Sequence, residues 1–457
     1  MIGNILIASS VAIFAYWLSG SRTSVYLIYF LSFIPFFTLD ASAGGLTEVS
    51  GLGGGNVMFK MVLRLLCTGF YLALLLRRVE VFRELWRPHS LPILAFVTWS
   101  LVWLHRCADP WISLFRLGEL MAFYLAGLAL FLEYGRFHGP RAVARLHCLA
   151  PLTLQLVVLW FAETEPELAY HVDTNGLKRI GHKLLEANSL GFASAICMLW
   201  AVHELREKRE HARHLFFERI VPVLVLGVSV HVQVQARSRT AMITLIIAMA
   251  VLWAPYYTPD RKQRAAFVGF VASAVGIALF KLNTIVEWFL RGDRLEDLES
   301  GTGRTGLWAA LVDEQVPLAP LAGAGYLNLG PRGTFLHDGH WWSNAHNSYM
   351  FALVSNGIPG LLLVMLIAVL PLWMTFRRVL LSRPEERSSW NLLLAVQLVV
   401  LLASITHFGI SGYPNPAMLF HYCLYPYVCA APWAHKLQQS PTRVPLPTRV
   451  LPTGVAA

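Results

Sequence analysis

The sequence predicts an all-α, polytopic integral membrane protein with 12 or 13 transmembrane helices. Three observations carry this. Of 457 residues, 56% are apolar and only 14% are charged, against about a quarter charged in an ordinary soluble domain. Mean hydropathy is +0.53. Long uncharged runs recur along the chain, and at roughly 20 residues per helical span 12 or 13 spans would use about 250 residues, close to the apolar total. This composition excludes a soluble enzyme, a disordered protein and a disulfide scaffold. It also argues against an outer-membrane barrel, whose strands alternate apolar and polar residues.

The apolar runs fall near residues 2–19, 24–38, 57–76, 91–105, 111–132, 146–163, 188–205, 220–236, 240–257, 265–285, 349–375, 391–410 and 416–433. The first lacks a basic leader and a small-residue cleavage site, so it reads as a span and not a removed signal. The second is short, which leaves the count at 12 or 13. These runs form one bundle over 1–433, and the Pro-rich segment 434–457, which repeats PTRV, reads as a disordered cytoplasmic tail. Six cysteines lie in or beside apolar runs and read as small buried hydrophobes, not as disulfides or metal ligands.

Orientation follows from the basic residues. The net charge is +10, and in a membrane chain the plain reading is the positive-inside bias, not nucleic acid. Of 37 Lys+Arg, 23 fall in alternate loops, among them Arg77, Arg78, Arg83, Arg87, Arg136, Arg206, Arg219, Arg377, Arg378, Arg383 and Arg387. These loops are assigned to the cytoplasm. Ten basic residues lie in the opposite loops, including Lys178, Arg179, Lys183, Arg237, Arg239, Arg304 and Arg332. Two of those outer segments are long: 164–187, and about 286–348, which is Gly-rich and predicted to carry short helices.

Several groups are candidates for chemistry. In ARSRTAM, Arg237 and Arg239 stand where one outward span turns into the next. They read either as snorkelling arginines or as planar donors for a lipid-linked phosphate. In SGTGRTGLWAAL, Thr302 or Thr305 could cap a helix starting near Leu307, with Arg304 near its N-terminus, where an anion is favoured; the alternative is a solvated loop arginine. In HWWSNAHNSYMFALVSNGIPG, His346 and Asn347 open a long span, with Gly357 and Gly360 placed to bring it close to a neighbour. A boundary histidine titrates near neutrality and can accept a proton from a sugar hydroxyl. The bland alternative is an interfacial histidine beside Trp341 and Trp342.

His337, Asp338, His340 and His346 form a polar cluster, but without metal-ligand spacing or a cysteine, so no metal site is assigned. Arg116 and Glu119, at i and i+3 within one run, are expected to pair. Arg179, His182 and Lys183 could bind an anionic acceptor, although a solvated basic loop is the plainer reading.

Together these pieces resemble the O-antigen ligase and Wzy-type polysaccharide polymerase superfamily. The similar features are SRTA with Arg239, Gly303-Arg304 followed by Trp308, the Gly-rich PLAGAGYLNL at 320–329, and His346-Asn347 with Gly357 and Gly360. KRIGHKLLEANSLGF, with Asn188, is similar to the family's entry to an earlier span. The match covers about 175–375. The resemblance implies a GT-C-like helical bundle and an inverting, metal-independent glycosyltransferase needing no cofactor, in the bacterial inner membrane with its site facing the periplasm. The implied donor is a glycan on undecaprenyl diphosphate. His346 would be the general base, and Arg239 and Arg304 would hold the diphosphate and stabilise the leaving group. Arg237, Asn347, Tyr349, Arg179 and Asn188 would bind substrate. Arg237 doubles the Arg239 element, so which guanidinium meets phosphate stays open.

The expected reaction is Wzy-type polymerisation of a surface polysaccharide such as O-antigen or exopolysaccharide. The alternatives are a ligase using the lipid A core, an O-oligosaccharyltransferase using a protein hydroxyl, and, in another class, a lipid-linked oligosaccharide flippase. The reason for preferring polymerase is the absence of a dense outer basic cluster suited to a phosphorylated core. Expected partners are the lipid-linked glycan, an acceptor glycan or lipid A core, membrane lipids and a chain-length regulator, with no nucleic acid.

Overall fold

The computed structural model describes residues 22–33, 55–172, 178–181, 185–207, 219–253, 265, 269, 304–330, 332–406, 410–411 and 415–438. The runs predicted at 2–19 and 265–285, the residues His182, Lys183, Thr302 and Gly303, and the tail from 439 onward lie outside the described residues.

The described chain is almost entirely helical. Its helices are α1 (Arg22–Leu31), α2 (Gly55–Arg77), α3 (Val79–Leu85), α4 (Leu91–Val102), α5 (Pro110–Leu130), α6 (Pro140–Leu149), α7 (Leu152–Thr164), α8 (Ala187–Arg206), α9 (Val221–Ala236), α10 (Arg239–Leu252), α11 (Arg304–Ala310), α12 (Ser348–Leu381), α13 (Pro384–Thr406) and α14 (Pro416–Gln438). Among the described residues, four stretches are long and apolar enough to cross a membrane: Pro110–Gly135, Pro140–Thr164, Ser348–Leu381 and Pro384–Ile405. Pro88–Val102, Val221–Ala236 and Arg239–Leu252 are shorter apolar helices.

Local sequence explains where the helices begin. Proline occupies the first turn of α5, where its missing N–H costs nothing, and the Asp109 side chain caps the same turn by accepting from Ile112 N at 2.9 Å. Asn415 caps α14 through its Oδ1, which accepts from Met418 N at 3.0 Å. The helices then pack in two connected groups, α8 with α9, α10 and α13, and α5 with α2 and α14; α12 lies against α4 and α13.

Among the described residues, several charges inside the bundle are paired, as an apolar medium demands. Arg116 Nη1 lies 2.5 Å from Glu119 Oε2, the pair expected from their spacing. Arg64 of α2 joins it, with Nε 3.8 Å from Glu119 Oε1. Arg141 grips the buried Glu204 with two bonds of 3.1 and 2.9 Å.

Two small hairpins interrupt the helical pattern: Tyr170–Val172 with Lys178–Ile180, and Phe335–His337 with His340–Trp342. The second departs from the expectation of short helices alone in the outer loop. Its turn is Asp338-Gly339, both at positive φ (49° and 76°), the arrangement two-residue hairpins favour.

Helix α12 breaks near its start. Gly357 has φ 69° and ψ −172°, and Pro359 follows in the first turn of the resumed helix. The break frees backbone groups that the segment 320–325 then satisfies. Ala324 N donates to Val354 O at 2.8 Å, Gly325 N to Ser355 O at 2.9 Å, and Ile358 N to Pro320 O at 2.8 Å. Trp99 Nε1 and Ser100 Oγ of α4 donate to the Asn356 carbonyl and side-chain oxygens at 2.9 and 3.1 Å. Gly357 therefore admits the loop backbone at a break, where the sequence reading expected close helix packing. Gly360 faces Asn356 of its own helix.

Candidate active site

Three turns at one end of the bundle carry the residues singled out above. The first joins α9 to α10. Arg237 ends α9 in the left-handed conformation (φ 49°, ψ 38°), and Arg239 is the first residue of α10. Ser238 between them caps α10, its oxygen accepting from Ala241 N at 3.4 Å. The same hydroxyl donates to Asn188 Oδ1 at 3.0 Å, which ties the turn to the start of α8. Gly191 makes that approach possible, since a Cβ there would lie 2.6 Å from Ser238 Cβ. Arg179 donates through Nε and Nη2 to Ala236 O at 3.2 and 3.1 Å, so its guanidinium closes the end of α9 beside Arg237.

The second element is α11. It starts at Arg304, so Thr305 lies inside the helix, not at its cap, and Thr302 lies outside the described residues. Leu307 is fully buried and anchors this short helix. Burial lowers the Arg304 pKa below its usual value, and the nearby Glu186 carboxylate opposes that shift. Glu186 immediately precedes α8, and Asn188 Nδ2 donates to its Oε1 at 3.4 Å. The entry to α8 thus meets Arg304 on one side and the arginine-bearing α9–α10 turn on the other.

The third element is the turn before α12. His346 has φ 47°, a conformation uncommon for a residue with a Cβ, held by its own N–H donating to Asn344 Oδ1 at 2.6 Å. Asn347 caps α12, its Oδ1 accepting from Tyr349 N and Met350 N at 2.9 and 3.0 Å. The Trp342 ring stands edge-on to the His346 ring, with centroids 6.0 Å apart. Trp308 Nε1 donates to Ala345 O at 2.7 Å. One hydrogen bond therefore fixes the helix that begins at Arg304 to the residue next to His346.

The sequence-predicted residues are thereby connected through contacts of the protein itself. Arg304 and His346 are linked by Trp308 and Ala345. Asn188 bridges Glu186 and Ser238, and Arg237, Arg239 and Arg179 surround the same helix end. His346, Arg237, Arg239, Arg304, Asn188 and Tyr349 are all half-buried, accessible from outside yet held by packing. Asn347 is buried and its oxygen is committed to the cap. Its place is that of a residue orienting the helix start.

Glu186, Asn344 and the Trp308–Ala345 bond have little signature in the sequence. Glu186 stands one residue before a helix with a carboxylate, which is a weak local signal, and nothing in one sequence connects it to Arg304. Among the described residues, no group of three or more His, Cys, Asp or Glu side chains is arranged to hold a metal ion.

The long apolar helices and the polar turns collected at one end define an all-α polytopic membrane protein with a cationic, histidine-bearing site. Residues 223–365 match the family model described as Wzy_C, O-Antigen ligase, so this part of the chain is similar to that family. The match spans Arg237, Arg239, Arg304, His346, Asn347 and Tyr349, and leaves Arg179, Glu186 and Asn188 outside it. No curated protein matches the chain.

Proposed function

We propose that the protein is an inner-membrane glycosyltransferase that polymerises a surface polysaccharide, moving a glycan from undecaprenyl diphosphate to an acceptor sugar hydroxyl on the periplasmic side. The observation that carries this reading is the Trp308–Ala345 bond, which fixes the Arg304 helix against the His346 turn. A base and a phosphate-binding cation are needed on opposite sides of one anomeric carbon, and in this reading the two turns contribute one each.

In the reaction, the acceptor oxygen attacks the anomeric carbon while His346 takes its proton. The bond from that carbon to the diphosphate oxygen breaks, and undecaprenyl diphosphate leaves with the electron pair. Displacement from the opposite face inverts the anomeric centre. Arg304 and Arg239 hold the diphosphate and offset the charge that grows on it, the electrostatic work a divalent ion does elsewhere. Glu186 orients Arg304, and the Ser238–Asn188 bond holds the turn that carries Arg239. Trp342 stands edge-on beside the His346 ring.

The test uses the purified full-length protein with a lipid-linked repeat unit as sole substrate. A ladder of products is expected, and His346→Ala should lower its rate by about 10²–10⁴-fold while leaving donor binding near that of the parent. Transfer that survives His346→Ala, or that EDTA abolishes, overturns the mechanism. A donor that stays inert until lipid A core is added would reassign the activity to ligation.

A further inference from the structure

The far end of α12 holds a second polar site that the proposed chemistry does not use. It lies roughly 30 residues, or about 45 Å of helix, from the His346 turn. Met374, Arg377, Arg378, Leu381, Ser382, Arg383 and Glu386 line a cavity of about 470 Å³ where α12 turns into α13. That is within the size of small-molecule sites, roughly 300–1,000 Å³. Three guanidinium groups against one carboxylate leave its lining cationic.

One of these arginines is held in place. Arg378 lies over the Trp390 ring at 5.0 Å, and that ring stacks on Tyr427 of α14 at 5.5 Å. Ser382 N donates to Arg378 O at 2.9 Å, and Arg387 Nη2 donates to Ser382 O at 3.3 Å, so the turn itself is braced. A cationic cluster placed only to orient the chain requires neither a cavity nor an aromatic platform beneath one of its members.

The surface leading to the cavity is apolar. Leu362, Leu366, Val369, Trp373 and Leu380 are 60%, 46%, 49%, 55% and 50% exposed. They recur at three-, four- and seven-residue intervals on one face of α12, and Arg377 occupies the position between Trp373 and Leu380 on that stripe. An apolar stripe that ends in an arginine pocket has the polarity profile of a lipid, chain first and headgroup last.

The geometry points to a binding site for an anionic glycerophospholipid, its phosphate among Arg377, Arg378 and Arg383 and its acyl chains along the exposed face of α12. Under the orientation proposed above, this lipid belongs to the cytoplasmic leaflet. Arg377 meets the phosphate at the membrane surface and Arg383 closes over it from the start of α13. Glu386 limits the site to one strongly charged group.

Binding in detergent does not depend on orientation or catalysis, so failure here would leave the catalytic reading standing. The full-length protein, stripped of lipid, is titrated with phosphatidylglycerol, phosphatidylcholine and inorganic phosphate, and bound lipid is counted by native mass spectrometry. Phosphatidylglycerol should be retained in preference to phosphatidylcholine. Arg377→Gln with Arg383→Gln should weaken it roughly 25-fold, at about fivefold per arginine. Arg83→Gln with Arg136→Gln removes equal charge from exposed positions elsewhere and should leave binding unchanged. Ser382→Trp obstructs part of the cavity while keeping every arginine and should also weaken retention, which covers the case of a double variant that fails to fold. Equal retention of the two lipids, equal loss in both double variants, or displacement by inorganic phosphate alone would overturn the proposal.

Discussion

At the scale of single residues, the site depends on side chains that hold other side chains. Trp308 is the sharpest case, because its indole N–H reaches Ala345 O at 2.7 Å across 37 residues of chain. Trp308→Phe keeps an aromatic ring in place and removes that donor together with the indole's five-membered ring. The bond is worth about 1 kcal/mol to stability, so the fold should survive. The turnover of the lipid-linked donor should fall more steeply than its affinity, because the His346 turn loses its tether to the Arg304 helix. Equal kcat and KM in Trp308→Phe and the parent would remove the tether from the account. Asn347 gives a contrasting prediction. Its oxygen caps two amides of α12, so Asn347→Ala should cost about 0.5–2 kcal/mol, read as a lower melting temperature, and Asn347→Asp should restore it. A residue that bound substrate through that oxygen would show the opposite order, with normal melting and lost donor affinity.

At the scale of elements, the helices were legible because long apolar runs and first-turn prolines are local signals. The runs near 188–205, 220–236 and 349–375 reappear as α8, α9 and α12 with ends displaced by a few residues. The 335–342 hairpin was missed although Asp338-Gly339 is a recognisable turn signal, because its strands are only three residues each and lie within a loop rich in other polar groups. The break in α12 was half legible: Gly357 and Pro359 were visible, but their partner, the 320–325 backbone, is distant in sequence. The pairing of Glu186 with Arg304 had no local signature at all. The break makes a strong prediction. Gly357 sits at φ 69°, and a Cβ would strike the Leu321 backbone, which cannot swing aside as a flexible side chain would. Gly357→Ala should destabilise the protein by more than about 1 kcal/mol, beyond the usual cost of alanine at positive φ, with the loss visible in thermal unfolding in detergent. Gly118, where an added Cβ meets nothing within 4 Å, is the control, and Gly118→Ala should melt with the parent.

At the scale of the whole molecule, function depends on orientation. The bundle has two polar ends that differ in kind. One end gathers half-buried arginines, a histidine and hairpins; the other carries exposed arginines such as Arg83, Arg136, Arg377 and Arg383. In the proposed orientation, which follows the positive-inside bias, the second end faces the cytoplasm and the His346 turn faces outward, where a lipid-linked glycan would be met. The fold offers a direct check because the described cysteines are all buried and should give little background with a thiol reagent. His340 lies exposed on the 335–342 hairpin, and Arg83 lies exposed on α3. In intact cells whose outer envelope has been permeabilised, a membrane-impermeant maleimide should label His340→Cys and spare Arg83→Cys. After the inner membrane is opened, both should react. The reverse order would turn the protein over, put His346 on the cytoplasmic side, and separate the proposed base from any acceptor presented outside.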